Sequence, residues 1–183
     1  MKRYLIASVM IVAASVAQAN MPANPEVGGA PMLADRNIVE NAVNSADHTT
    51  LVAAVEAAEL VEALQGPGPF TVFAPVNAAF DALPDGTVDT LLMPENQDML
   101  QRVLTSHVVA SDLSGSELMR RARNSGDGFF HMETLSGAAL SAQVRGNTLW
   151  IYDESGNAGR VTINDVNQSN GVIHVVDHVL LPR

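Results

Sequence analysis

The chain has 183 residues, no cysteine and a formal net charge of −10, with 20 acidic against 10 basic side chains. Without thiols there is no disulfide, no thiolate metal site and no lipid-modified N-terminal cysteine. The acidic balance argues against nucleic acid, which needs a basic surface to release counterions, and against an anionic membrane surface.

In chain order, Lys2 and Arg3 come first, then an apolar run from Tyr4 to Val16, then Ala17-Gln18-Ala19. This has the form of a signal peptide over residues 1–19: a basic start, an apolar stretch too short to span a bilayer, and a small-x-small cleavage site. The expectation is an exported bacterial protein, periplasmic or released, whose mature chain starts near Asn20. Residues 20–36 are rich in Pro, Gly and Ala and lack periodicity, so they read as a flexible or loosely docked arm. Residues 37–183 form one domain without internal repeats, large enough to bury roughly 70% of its unfolded surface.

Asn37 and Glu40 have capping-box spacing, and Ile38, Val39, Ala42 and Val43 recur at helical intervals. A second helix follows Asp47-His48-Thr49, with Leu51, Val52, Val55 and Ala58 as its apolar stripe. It bends near Glu59, because a straight continuation to Leu60, Val61 and Leu64 would rotate Glu62 into that stripe. The breakers Gly66, Pro67, Gly68 and Pro69 precede a strand carrying Phe70, Val72 and Phe73. Pro75 lacks the N–H a ladder needs and stops it. Asn77 then reads as the cap of a helix through Phe80.

Pro84-Asp85-Gly86 is a turn, and Pro94 suits the first position of another helix, with Glu95 and Asp98 at its positive end. There Leu100, Val103, Leu104 and His107 fall at i, i+3, i+4 and i+7, which puts His107 on the buried face or at the strand junction just beyond it. Ser114 and Glu117 form a second capping box, opening a short helix through Leu118 and Met119. After Gly128 come apolar runs over Phe129–Met132, Ala139–Val144, Leu149–Tyr152, Val161–Val166 and Val172–Leu181. Turn sequences at Ser136-Gly137, Gly146-Asn147, Ser155-Gly156-Asn157 and Asn170-Gly171 separate them, implying antiparallel hairpins. Helices first and strands mostly later indicate an α+β fold.

His174-Val-Val-Asp-His178 has the look of a metal motif, but its valines and the preceding Asn-Gly turn predict a strand. Four residues of strand separate the two histidines by roughly 13 Å, too far for one ion to bridge. No G-x-S-x-G elbow exposes a serine, no glycine loop cradles phosphate, and the carboxylates are scattered rather than paired. Neither a metal nor a cofactor is expected. Arg120, Arg121 and Arg123 are the one dense cation cluster. They could bind acidic groups, although arginines also sit favourably at a helix C-terminus. His107, His174 and Asp177 fall within apolar runs and are expected to be buried and hydrogen-bonded. Asp177 in particular is expected to lock the last strand to the helical layer.

The segment Gly68-Pro-Phe-Thr-Val-Phe-Ala-Pro-Val-Asn-Ala-Ala-Phe80 resembles the first signature box of fasciclin domains. Asn170-Gly-Val-Ile-His-Val-Val-Asp-His-Val-Leu-Leu-Pro182 resembles the second. Thr71, Phe73, Ala74, Pro75, Asn77 and Phe80 match the first; Asn170, Gly171, Val172, His174, Val176, Asp177, Leu180 and Pro182 match the second. Val76 stands where the family usually has a small hydroxyl residue, which leaves capping to Asn77. His107 matches the histidine of the family's Tyr-His motif, with Ser106 in the tyrosine's place, and Asp165-Val166 stands for its Asp-Ile pair. Both are integrin-linked in animal members, so the loss of the tyrosine puts integrin binding in doubt.

The resemblance implies a β-wedge of about seven mostly antiparallel strands with a helical layer on one side. It further implies a noncatalytic adhesion or recognition module for a matrix, cell-surface or glycan ligand, without a cofactor; the sequence leaves the oligomeric state open, with a monomer favoured. The alternative is an envelope enzyme or substrate-binding component acting on a glycan or small metabolite.

Overall fold

A computed structural model describes residues 24–183. The expected leader lies outside the described residues, as does the start of the arm. In chain order the elements are β1 (Glu26–Val27), β2 (Ala30–Pro31), α1 (Ile38–Ala42), α2 (Thr49–Ala57), α3 (Val61–Gln65), β3 (Phe70–Pro75) and α4 (Asn77–Asp81). There follow α5 (Thr87–Leu91), α6 (Gln97–Thr105), β4 (Val108–Val109), α7 (Gly115–Asn124), β5 (Phe129–Glu133), β6 (Ala139–Arg145), β7 (Thr148–Tyr152), β8 (Ala158–Gln168) and β9 (Gly171–Val176).

β1 and β2 form a small hairpin, and the other seven strands form one sheet in the order β4-β3-β9-β8-β7-β6-β5. Every neighbouring pair is antiparallel except β3–β9, which runs parallel from Phe70↔Gly171 to Pro75↔Val176. A parallel pair needs a long crossover, and here the crossover contains most of the domain. All of β9 after Gly171 is buried, hence its continuous Val/Ile run. The sheet curls until its ends meet, where Leu135 N, in the β5–β6 turn, donates to Val108 O at 2.8 Å.

The helices α1–α3 and α6 cover β3 and β9, with Ile38, Val55, Leu64, Leu100 and Leu104 packed on Val72, Ile173 and Val175. α7 closes the other end, where Leu118 meets Leu140, Leu149 and Ile151. The helical run bends at Glu59, whose φ of 57° is left-handed and which leaves Glu62 exposed. Asn37 and Glu40 make both bonds of their capping box, each 2.9 Å long.

Several local expectations are corrected. From Asn24 on, the arm is docked: Val27 and Met32 are buried in the core and Asn24 Nδ2 donates to Asn167 O at 2.7 Å. Two isolated apolar anchors generate no periodicity, which is why the sequence hides them. Asn77 does not cap its own helix; Val76 occupies that position. Its amide instead accepts from Thr50 N at 3.0 Å and donates to Ala46 O at 2.9 Å, satisfying a free N–H at the start of α2. Ser114 caps α7, but the Glu117 carboxylate turns to Arg120 and Arg121 instead of closing a box. That helix is also longer than expected, and β9 ends at Val176 rather than Leu181. Beyond it the chain leaves the sheet, and Leu180 N donates to the His107 ring.

Candidate functional site

The signature residues converge where the helical layer meets β3 and β9, and their polar atoms are nearly all engaged in holding that junction. Thr71 Oγ1 donates to Ser111 O at 2.6 Å and accepts from Leu113 N at 2.9 Å. His174 Nε2 donates to Leu113 O at 2.7 Å while its Nδ1 accepts from Asp165 N at 3.3 Å. Phe73, fully buried, stacks on that ring at 5.7 Å. His107 is its counterpart at the end of α6: Nδ1 donates to Val103 O at 2.7 Å and Nε2 accepts from Leu180 N at 2.9 Å.

Each of these rings bridges one backbone acceptor and one backbone donor, which only a neutral imidazole can do. Burial pushes His107 down to about 4 and lowers His174 as well. Asn170 ties three elements together: Nδ2 donates to Leu64 O and Gly66 O, and Oδ1 accepts from Ile38 N. Gly171 must lack a side chain, since a Cβ there would run into Phe70 O across the parallel pair. Pro75 closes β3 opposite Val176, and Phe80 packs with Val103 and Val179.

No group of three or more His, Asp or Glu side chains among the described residues is placed to hold a metal ion. His178 lies beyond β9 in a bend, and both nitrogens of His174 are already engaged.

The residues proposed from sequence for binding are scattered. Arg120 and Arg121 share the Glu117 carboxylate at 2.7 and 2.6 Å, and the Arg121 guanidinium lies 4.9 Å from the Phe130 ring centroid. Arg123 is exposed in the last turn of α7. Asp165, at a β-bulge with φ of 58°, accepts from Gly115 N at 2.7 Å and so satisfies the start of α7. Val166 is fully buried in the core and cannot touch a partner. Asp177 is exposed rather than buried. Its carboxylate accepts from Arg160 N at 2.8 Å and Nε at 3.2 Å, tying the chain just past β9 to β8 instead of to the helices.

A cavity of about 100 Å³ lies among α1, α2, α3, α6 and β3. Its walls are mostly aliphatic, with Glu56, Thr105 and His107 the polar exceptions. It is smaller than the several hundred Å³ usual for a small-molecule site.

A different surface carries no motif in the sequence: the solvent side of β5, β6 and β7. Alternation along these strands turns Phe130, Met132, Leu140, Ala142, Leu149 and Ile151 inward and leaves their neighbours outside. Phe129, Gln143, Trp150 and Arg160 form one cross-strand row, and His131, Ser141 and Tyr152 the next. The Arg145 guanidinium lies 5.2 Å from both the Trp150 and Tyr152 ring centroids. Gln143 Oε1 accepts from Tyr152 OH at 2.9 Å and from Arg145 Nε at 3.0 Å. Phe129 meets Tyr152 edge-on at 5.5 Å and stacks on His131 at 6.2 Å. His131 itself sits between Ser141 Oγ at 2.8 Å and Asp127 Oδ2 at 2.9 Å. Hydrogen bonds from Ser125 first, then His131 and Phe129 N, hold the Asp127 carboxyl well below the usual range. The signal was present in Phe129-Phe-His131 and in Leu149-Trp-Ile-Tyr152, which are two-faced strands rather than uniform apolar runs.

Compared with known proteins, residues 46–182 match the family model described as the fasciclin domain. Protein sll1483 of Synechocystis is 47% identical over 145 residues, covering 79% of this chain and 73% of that one. The cell surface glycolipoprotein MPB83 of Mycobacterium bovis is 37% identical over 123 residues, 67% of this chain and 48% of its own length. Among solved structures, the FAS1 domain pair of the insect cell adhesion molecule Fasciclin I superposes with a TM-score of 0.71 at 18% identity. That match covers 84% of this chain and 52% of the insect one, so the chain spans about half of the pair.

Proposed function

This chain belongs to the fasciclin domain family, and we propose on that premise that it is an exported, noncatalytic adhesion or recognition module for a matrix, cell-surface or glycan ligand. The observation that carries this reading is the engagement of the buried signature groups. His107, His174, Thr71 and Asn170 bond to backbone atoms of neighbouring elements, so none is free to act as a base or nucleophile on a substrate. A cell-surface relative supports a role outside the cytoplasm, and no described helix is long and apolar enough to cross a membrane.

The test is retention of the exported protein on envelope or matrix material and on a glycan array, with the Arg120/Arg121/Arg123→Ala variant alongside. Saturable retention is expected. Turnover of an envelope glycan or metabolite, or no retention on any surface, would overturn the proposal.

A further inference from the structure

We infer that the outer face of β5–β7, centred on Trp150, Tyr152 and Arg145, is the recognition surface and that its ligand is an uncharged polysaccharide. The inference rests on the recognition role proposed above and adds a location and a chemistry to it. Aromatic residues make up only 4% of the chain. Yet its one tryptophan, its one tyrosine beyond residue 23 and Phe129 share this face, all half-exposed.

Rings of this kind carry partial negative charge on their faces, which attracts the polarised C–H groups on the flat side of a pyranose. Trp150 and Tyr152 are two residues apart on one strand, hence roughly 6.6 Å along it, and Phe129 extends the strip across the sheet. An open row of rings on the face of a sheet, not a closed pocket, suits an extended sugar chain better than a pocket ligand. Between the rings stand Gln143, Arg145, Ser141 and the Asp127–His131 pair, which offer the donors and acceptors that hydroxyl groups require.

The surface is also preorganised. Tyr152 is held through Gln143 to Arg145, and each ring stands on a paired strand, so little side-chain freedom is lost on binding. Arg145 makes no ion pair among the described residues, and its terminal N–H groups are not engaged by a carboxylate. A net charge of −10 repels polyuronates and sulfated chains, which selects an uncharged sugar.

Because Trp150 is the sole tryptophan, its fluorescence reports on the site directly. The exported protein is titrated with gluco- and manno-oligosaccharides and, separately, with oligogalacturonides. A saturable change in emission with an uncharged oligosaccharide is expected. Tyr152→Ala and Arg145→Lys should each weaken binding by about 10-fold or more, with the fold intact and at most a small drop in melting temperature, whereas Arg120/Arg121/Arg123→Ala should leave binding alone. Trp150→Ala, followed by calorimetry instead of fluorescence, should abolish it.

Preferential binding of uronates, or binding that survives Trp150→Ala and Tyr152→Ala, overturns the inference. So does surface retention that the same two variants leave intact, as a protein partner docked elsewhere would produce; in that case the recognition role stands and only this assignment falls. If the wild-type protein is retained nowhere and binds no sugar, both fall together.

Discussion

The molecule holds two Phe–His stacks of similar geometry in opposite settings. Phe73 and His174 lie 5.7 Å apart at 28°, with both rings buried; Phe129 and His131 lie 6.2 Å apart at 18°, on the outside of the sheet. In the first pair, both ring nitrogens bond to backbone groups of other elements, β8 and the segment before α7. In the second, they bond to the side chains of Ser141 and Asp127, which solvent could replace. The same two residue types thus hold the architecture together where water is excluded and form a contact surface where it is not.

The largest expected effect comes from hollowing the buried pair. Phe73→Ala removes a fully buried ring, and chemical denaturation should register a loss of about 3–5 kcal/mol. Phe129→Ala on the exposed pair should cost about 1 kcal/mol or less, the worth of an aromatic contact at the surface. Equal losses for the two would erase the distinction.

Acid should separate the regions next. The pKa of His107 lies near 4 in the folded protein and near 6.5 when unfolded, so between those values the unfolded chain binds the extra proton. Stability is therefore complete above pH 6.5 and declines as pH falls toward 4, by up to about 3 kcal/mol from this residue. His174 and His48, both lowered by burial, add in the same direction. Melting temperatures measured from pH 7 to pH 4 should drop, and His107→Gln should flatten the drop. A profile that is flat for the wild type would show that these rings are not held neutral.

Smaller still, Asn170→Ala leaves Leu64 O, Gly66 O and Ile38 N without their partner and should cost about 1–3 kcal/mol. Asp177→Ala removes only an exposed pair with Arg160, and a loss below about 1 kcal/mol is expected from thermal unfolding.

Most of the fold could be read from the sequence because its signals are periodic or local. Helical spacing placed Leu100, Val103 and Leu104 inward, and glycine-containing turns placed the hairpins. What escaped depends on contacts distant along the chain. Asn77 serves Thr50, 27 residues before it, and Val27 and Met32 find their place only against a core made elsewhere. Asp177 looked buried because its neighbours are apolar, yet it lies just past the last strand, where the chain bends outward. The surface of β5–β7 was hidden for a related reason: hydrophobicity counts ring carbons alike whichever side of a sheet they face.

The central place of β9 bears on how the protein is made. It is the last strand of the described residues, yet it lies between β3 and β8 and provides the one parallel pairing of the seven-stranded sheet. Until the ribosome has delivered residues 171–176, the β3 segment lacks its principal partner and the two ends of the sheet stay apart. Such dependence on late, long-range pairing slows folding. It would keep a growing chain open until β9 emerges to close the sheet.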